Sequence, residues 1–494
     1  MRSSVAALAL AALFVVAATG FMTGAQRGGG QQTLLELDAT SFDATVESFD
    51  GTPIELTVYR PAGASAQAPV PVVLHSHGWA GTRTTDGSGI VGRLWNAQFG
   101  VVSIDARGHG ASGGFANVHH KDVEVRDLRV VLDWIHDNLD WVQREDTGIA
   151  KDIVAGGAGY SYAGGMQLMT ASYDARLDAI APEITWSDLP DALAPAGVPK
   201  SLWLDFLVGT AHASGTRVEP RILEWYEQAL VENKLPPAAL EHLEGSSPVL
   251  RTIRADVLLI QGVPDTLFPL NHALRTYEAL DGWVDVRLFT HLTGHVAPYL
   301  QPFGTTPHRH GIFLDEGPCG KVSDTVVAWL DEKLRGGPAS GIPKVSLAME
   351  DRSCVRLDAL PGGIALARHD LVPAPSAAGA LLLPLAEGPL AIAGAPRLAA
   401  SVDAASPGGT AFASLVVVGA DGFTRVVNDQ SMPLPLTPGA TLDAELAAVA
   451  TTLKEGDRLL LRLEGLNEWY PHNGARLPGG ALLRNVVVTL PTVV

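Results

Sequence analysis

The chain has 494 residues, of which 47% are hydrophobic and 18% are charged. A chain of this length and hydrophobic content can bury a substantial core, which excludes general disorder, and its length predicts two or three domains. The formal net charge of −18 argues against a nucleic-acid-binding protein that relies on a basic surface. Two cysteines are too few for a disulfide-dense scaffold or a multi-cysteine metal cluster.

The N-terminus has the pattern of a secretory signal. Arg2 supplies a positive charge, Val5–Phe21 form an uncharged apolar run, and the small residues Thr23, Gly24 and Ala25 provide a cleavage site. We therefore predict residues 1–25 as a signal peptide and expect a secreted or cell-envelope protein. An uncleaved membrane anchor is the alternative, because the run has about the minimum length of a transmembrane helix. No membrane span is expected after cleavage.

Export would allow the two cysteines, Cys319 and Cys354, to form a disulfide bond. They flank a Gly- and Pro-rich stretch at residues 336–343, which we interpret as a linker between two domains. Two buried free thiols are the alternative.

Residues 33–335, which precede this linker, have the pattern of an α/β domain. Short apolar runs alternate with longer helical patterns, as expected for a largely parallel sheet that is covered on both faces. The main predicted elements are the strands Val70–Leu74, Val101–Ile104, Asp152–Ala155, Ala179–Pro182, Val257–Ile260 and Val284–Phe289, and the helix Asp122–Leu139. Between about 187 and 250 only helical spacing recurs, which predicts a helical cap over the strand ends.

Residues 344–494 have a different texture. Short β-prone runs such as Ala413–Val418, Arg458–Leu463 and Asn485–Leu490 alternate with Gly, Pro and Asp turns. This pattern predicts an antiparallel β-sandwich. Leu442–Leu453 is the single helix candidate in this part.

The strongest local signal surrounds Ser161. A short strand runs into Gly159-Tyr160-Ser161-Tyr162-Ala163-Gly164-Gly165, and a helical pattern follows. Small residues around a sharp strand-to-helix turn are typical of the nucleophile elbow of an α/β-hydrolase, here with Ala163 in place of the last glycine of G-x-S-x-G. We therefore predict Ser161 as a nucleophile; an ordinary Gly-rich turn is the alternative.

A serine nucleophile needs a base and an orienting acid, which follow it in this fold in the order acid, then histidine. Asp265 comes just after the strand Val257–Ile260 and is the predicted acid, with a simple turn carboxylate as the alternative. Two histidines, His291 and His295, follow the next strand. We prefer His295 as the base, because it lies deeper in the loop and follows the flexible Gly294.

An oxyanion hole needs two donors. The backbone N–H of Tyr162 is the first candidate. The second is Trp79, by its backbone or indole N–H, in the loop after the strand Val70–Leu74.

Other motifs favour structural roles. His75-x-His77 lacks the partners of a zinc site, and His308-Arg309-His310 is isolated, so we expect no metal. The stretch from Gly108 to Gly113 formally matches a dinucleotide fingerprint, but no helix opens at its end. We interpret it as a turn in which Asp105 and Arg107 brace neighbouring loops.

Together these stretches resemble the family of Xaa-Pro dipeptidyl-peptidase and cocaine-esterase-like acyl hydrolases. The similarity extends over roughly residues 43–494, and it includes the run from Asp105 to Gly114 and the later Gly394 and Gly456-Asp457. It implies an α/β-hydrolase core with a helical cap and a C-terminal jelly-roll domain. It also implies the catalytic set Ser161, Asp265 and His295, with Tyr162 as an oxyanion donor. Some relatives have a tyrosine, with its hydroxyl as second donor, where Trp79 stands.

We therefore expect an exported serine hydrolase that cleaves an ester or an amide or peptide bond of a small substrate through an acyl-enzyme, without a cofactor. A strict Xaa-Pro dipeptidyl-peptidase is one alternative, for which Glu183 and Asp188 are candidate partners of the substrate amine. A non-catalytic exported binding protein is the other.

Overall fold

The computed structural model describes residues 39–295, 315–375, 379–472 and 480–493. The predicted signal segment and His308-Arg309-His310 lie outside these residues. No helix in the described part is long and apolar enough to span a bilayer.

A central sheet organises the first part of the chain. Its strands in chain order are β1 (Thr40–Glu47), β2 (Pro53–Arg60), β3 (Val72–Ser76), β4 (Gly100–Ile104), β5 (Ala155–Tyr160), β6 (Ala179–Glu183), β7 (Asp256–Gly262) and β8 (Val286–His291). They are ordered β1-β2-β4-β3-β5-β6-β7-β8 in space. From β4 through β8 all pairs are parallel, whereas β1, β2 and β4 pair antiparallel.

Helices cover this sheet, and several more lie between β6 and β7. The covering helices are α1 (Gly89–Asn96), α2 (Glu124–Asn138), α3 (Tyr162–Tyr173), α8 (Leu270–Leu280) and α9 (Val322–Arg335). The helices between β6 and β7 form the cap: α4 (Leu189–Leu193), α5 (Ser201–Ser214), α6 (Pro220–Glu232) and α7 (Pro237–Glu244). Two of them begin with a proline at the first helical position, where its missing N–H is not needed.

The first sheet continues past the linker predicted at 336–343. Two minimal strands, β9 (Glu316–Gly317) and β10 (Gly320–Lys321), precede α9 and pair with each other. After the linker, β11 (Val345–Ala348) pairs in parallel with β8, and β12 (Cys354–Leu357) pairs with β11. Residues 345–357 therefore belong to the central sheet and not, as expected, to the C-terminal sandwich, because buried β11 completes the open edge of β8.

The rest of the chain forms two antiparallel sheets. Their strands are β13 (Gly363–Ala374), β14 (Ala380–Glu387), β15 (Leu390–Gly394), β16 (Arg397–Val402), β17 (Gly409–Val418), β18 (Thr424–Val426), β19 (Met432–Leu436), β20 (Thr441–Glu445), β21 (Val449–Leu453), β22 (Arg458–Glu464) and β23 (Ala481–Thr492). One sheet is ordered β20-β16-β23-β15-β21 with β13 on β23, and the other β14-β22-β17-β18 with β19 on β17. The two share one apolar core. The α/β core followed by all-β sheets confirms the predicted fold class.

Two local predictions are wrong. Leu442–Leu453 is not a helix but contributes to β20 and β21, because its apolar residues find partners in β16 and β15. The strand predicted at Asp152–Ala155 lies later, at β5. The glycines of β5 are typical of a turn, but in this strand they allow the helix α9 to pack closely on the sheet. A Cβ on Gly156 would lie 2.8 Å from the side chain of Leu334.

A disulfide bond joins Cys319, in the turn between β9 and β10, to Cys354 in β12. Their Cα atoms are 5.1 Å apart. The bond links the segment before α9 to the last strand of the central sheet.

Candidate active site

Ser161 is the single residue between the end of β5 and the start of α3. Its φ of 57° and ψ of −117° lie in a region that non-glycine residues rarely adopt. Its backbone N–H donates to the carbonyl of Glu183 on β6 at 2.8 Å. The turn requires small neighbours, because a Cβ on Gly165 would lie 2.1 Å from the ring of Trp186. The side chain of Ser161 is thus held at the carboxyl end of the sheet.

The structure brings Ser161, His295 and Asp265 together. His295 Nε2 lies 2.8 Å from Ser161 Oγ, and His295 Nδ1 lies 2.7 Å from Asp265 Oδ2. The backbone N–H of His295 also donates to Asp265 Oδ2 at 3.1 Å. With a proton on Nδ1, His295 presents the lone pair of Nε2 to the serine hydroxyl.

The loop after β7 presents Asp265 as an acceptor. This side chain is fully buried. Its Oδ1 accepts hydrogen bonds from the backbone N–H groups of Leu267, at 3.0 Å, and Phe268, at 2.7 Å. Each carboxylate oxygen therefore has partners, which fixes the orientation of the oxygen that faces His295.

His291 stands apart from this arrangement. It is buried at the end of β8, and its Nδ1 lies 2.6 Å from Thr293 Oγ1. Its Nε2 lies 3.5 Å from Glu183 Oε1. Burial lowers the pKa of His291 to about 4 and raises that of Glu183 to about 7. His291 makes no hydrogen bond to the serine.

The candidate oxyanion donors lie on two sides of Ser161. Tyr162 is the first residue of α3, so its backbone N–H has no acceptor within the helix. The indole N–H of Trp79 donates to the carbonyl of Leu207 in the cap at 2.9 Å. Of the two groups predicted for Trp79, the indole is therefore engaged elsewhere, and the backbone N–H is the remaining candidate.

An apolar pocket of about 120 Å³ separates Ser161 from the cap. Its described lining carries no charged side chain and includes Leu189, Leu267 and Phe268. The cap residues that line the pocket include Trp186, Leu204, Leu207, Trp225 and Tyr226. Leu202, Trp203 and Phe206, which are also apolar cap residues, are not part of the lining.

Neither carboxylate considered for an amine lines this pocket. Glu183 faces His291. Asp188 is exposed and caps α4 by accepting from the N–H of Asp191 at 2.9 Å.

The remaining motifs brace loops. Asp105 forms an ion pair with Arg83 and accepts from the N–H of Ala111. Arg107 is paired with Asp50 at 2.8 Å and with Asp127 at 2.6 Å.

The histidines of the His75-x-His77 motif are occupied as well. His75 Nδ1 lies 3.0 Å from Ser103 Oγ, and His77 Nε2 accepts from the N–H of Ala106 at 3.1 Å. Burial lowers the pKa of both histidines. No cluster of three or more potential metal ligands occurs in the described ranges.

Three side chains that the sequence did not reveal support residues 265–268, the loop that contains Asp265 and is called the acid loop below. Lys200 and Trp203 reach it from the cap, and Gln430 reaches it from the C-terminal sheets, donating to the carbonyl of Asp265 at 2.9 Å. No local motif marks them, because they lie more than 60 residues from Asp265 in sequence and act on its loop through the fold.

The structure is similar to that of a CocE/NonD family hydrolase from Staphylococcus aureus, with 14% identity, a TM-score of 0.62, and coverage of 92% of this chain and 94% of that chain. An α-amino acid ester hydrolase aligns with 15% identity and a TM-score of 0.62, over 95% of this chain and 98% of that chain. An aminopeptidase from the marine sediment archaeon Thaumarchaeota archaeon aligns with 14% identity and a TM-score of 0.62, over 96% and 99%. These similarities show a shared fold.

No curated protein matches the chain significantly. The family model described as X-Pro dipeptidyl-peptidase (S15 family) matches residues 50–297. The match spans half of the chain and includes the nucleophile turn, the acid loop and His295, so the chain belongs to the X-Pro dipeptidyl-peptidase family S15.

Proposed function

We propose that this member of the S15 family is a serine hydrolase that cleaves an ester or amide bond through an acyl-enzyme. The observation that carries the proposal is the continuous series of hydrogen bonds from Ser161 through His295 to Asp265. It occurs at a strained strand-to-helix turn, where the serine hydroxyl faces a pocket. Ser161 is then the nucleophile, His295 the base and Asp265 the acid that orients it.

In the first half of the reaction, Ser161 Oγ bonds to the substrate carbonyl carbon while its proton moves to His295 Nε2. The carbonyl oxygen becomes an oxyanion, which the backbone N–H groups of Tyr162 and Trp79 stabilise. The bond to the leaving group breaks, and that group takes the proton from His295. Water then attacks the acyl-enzyme by the same path, releases the acid and restores Ser161.

The pocket favours a small, neutral acyl group. An engineered cavity of roughly 150 Å³ binds benzene, so a pocket of about 120 Å³ suits an apolar acyl group close to that size. A substrate ammonium would lose its hydration there without gaining a carboxylate, which is unfavourable. We therefore favour an acyl esterase or amidase over a strict Xaa-Pro dipeptidyl-peptidase, the alternative that the family description suggests.

A fluorophosphonate probe tests the nucleophile. The wild type should be labelled, whereas Ser161→Ala should not; Ser112→Ala is a matched control that leaves the proposed nucleophile in place. Labelling of Ser161→Ala at the wild-type rate would contradict the mechanism. An unlabelled wild type would favour the other candidate, a non-catalytic binding protein.

A substrate panel tests the acyl preference. We expect p-nitrophenyl esters of short apolar acids to be cleaved faster than Ala-Pro-anilide, and N-acetylation of the anilide to have little effect. If acetylation abolishes cleavage and small esters are poor substrates, the dipeptidyl-peptidase alternative is correct.

We also propose that the protein is exported after removal of residues 1–25. The signal pattern and the disulfide bond support this location, because disulfides persist in oxidising compartments. N-terminal sequencing of protein recovered from cell fractions tests it; an intact Met1 in the cytoplasmic fraction would contradict it.

A further inference from the structure

Lys200 is a buried cation whose side chain touches the acid loop. It lies in the cap directly before α5, and only 3% of its surface is exposed. Its Nζ donates to the carbonyl oxygens of Thr266, at 3.1 Å, and Leu267, at 2.8 Å. These are the two residues that follow Asp265.

The same two peptide groups also bind the carboxylate of Asp265. The peptide that contributes the Thr266 carbonyl contributes the Leu267 N–H, which donates to Asp265 Oδ1. The next peptide contributes the Leu267 carbonyl and the Phe268 N–H, which donates to the same oxygen. Two peptide dipoles therefore connect the ammonium at their oxygen ends with the carboxylate at their N–H ends.

We propose that Lys200 is a positioning residue for the reaction, which holds and polarises these two peptide groups so that Asp265 stays fixed toward His295. This inference rests on the proposed function. A charge at one end of a hydrogen-bonded series strengthens the bonds at the other end, particularly in a buried region where the effective dielectric constant is low. The cap thus contributes to the catalytic arrangement as well as to the pocket.

The charges around Lys200 are compatible with this role. Burial lowers its pKa to about 8, and the carboxylates of Asp265 and Asp191 oppose that effect. Asp191, on α4, is itself paired with Arg275 of α8, and His272 of the same helix is neutral because burial lowers its pKa to about 3. Lys200 is therefore mainly charged near pH 7.

Gln430 offers a matched control. It donates to the carbonyl of Asp265 from the C-terminal sheets, so it holds the same loop, but it carries no charge. A purely mechanical role of Lys200 predicts that loss of either side chain has the same kind of effect.

The experiment measures the second-order rate constant of fluorophosphonate labelling and kcat/KM for a short p-nitrophenyl ester against pH. The variants are Lys200→Gln, Lys200→Met and Gln430→Leu. Both Lys200 variants should lose about tenfold in rate near pH 7, because the two peptide groups that hold Asp265 lose their charged hydrogen-bond partner. Removal of a positive charge also favours protonation of the base. In both variants the acidic limb of the pH–rate profile, where the rate falls at low pH, should move to higher pH by about half a unit. Gln430→Leu should lower the rate without moving the limb.

An acidic limb that stays at the wild-type position in both Lys200 variants would overturn the proposal, even if the rate falls. If neither variant folds, the wild type decides: labelling should slow above about pH 8, as the ammonium loses its proton, and a rate that stays constant to pH 9.5 would overturn the inference. Labelling of Ser161→Ala would instead refute the proposed function, so the two failures are distinguishable.

Discussion

At the scale of single residues, the histidine that ends β8 and the histidine in the loop after it have different surroundings. His295 is hydrogen-bonded to both Ser161 and Asp265, whereas His291 is enclosed with Thr293 and Glu183. Three residues lie between them in the sequence. The difference in chemistry comes from where β8 ends and the chain turns toward the serine.

Substitution of each histidine tests this assignment. We expect His295→Ala to reduce kcat by about 10⁴-fold or more, because no other group accepts the serine proton. His291→Ala should reduce kcat by less than about tenfold, with some loss of stability from the cavity it leaves. Steady-state kinetics on the two folded variants decide, and equal losses or the reverse order would show that the base is misassigned.

A second residue-level prediction concerns Trp79. Its indole N–H is engaged by the carbonyl of Leu207, so the backbone N–H should be the oxyanion donor. Trp79→Phe keeps an aromatic ring and the backbone, and we expect kcat to change by less than about tenfold. Loss of an oxyanion donor typically costs about 10²–10³ in kcat, and a loss of that size would assign the role to the indole.

At the scale of elements, the acid loop is where three parts of the chain meet. It follows β7, the cap contacts it through Lys200 and Trp203, and the C-terminal sheets contact it through Gln430. The loop also contacts His295 directly, because the N–H of Thr266 donates to the carbonyl of His295 at 3.1 Å. The C-terminal sheets therefore support the site rather than merely adjoin the α/β core.

The disulfide bond gives an element-level prediction. It closes a loop with a sequence separation of 35 residues, which corresponds to about 3–4 kcal/mol by the chain-entropy model. We expect the double variant Cys319→Ala/Cys354→Ala to lose about that free energy of unfolding in urea. Thiol titration of denatured, unreduced wild type should find no free thiol; two titratable thiols in freshly purified protein would contradict the bond.

At the scale of the whole molecule, several histidines are buried and neutral. Burial lowers their pKa values, to about 3 for His75, His109, His119 and His272 and to about 4 for His291. In the unfolded chain a histidine has a pKa of about 6.5, so below that pH the unfolded state binds more protons than the folded state. Each of these histidines therefore contributes a loss of stability as the pH falls. Burial raises the pKa values of Glu124, Asp178 and Glu183 to about 8, 7 and 7, so these three carboxyl groups contribute in the opposite direction.

We expect the free energy of unfolding to decrease between about pH 6.5 and pH 4, by up to about 1.4 kcal/mol per pH unit for each of these histidines. Urea unfolding at several pH values measures the slope. The substitution His272→Asn should reduce this slope by the contribution of one histidine, up to about 1.4 kcal/mol per pH unit. An identical pH dependence in the wild type and in His272→Asn would show that His272 is not buried as a neutral group.

Much of the architecture could be predicted from the sequence. The apolar strands, the Gly-rich turn at Ser161 and the loop positions of Asp265 and His295 are local patterns, and each reflects a local requirement of backbone geometry or burial. Strand β5 and the pair β20–β21 are the exceptions. The glycines of β5 are unfavourable in a strand, and the Leu- and Ala-rich run at 442–453 favours a helix, so in both places pairing with neighbouring strands overrides the local preference.

The sequence by itself determined the α/β alternation, the change to β-rich texture after the linker, and the candidate nucleophile, acid and base. Only the tertiary structure decided which group of Trp79 is available, which histidine meets Ser161, that β11 and β12 extend the central sheet, and that Lys200 and Gln430 hold the acid loop. The physical reason is that these outcomes depend on hydrogen bonds and pairings between residues far apart in the chain. Such contacts leave no periodic or local trace in the sequence.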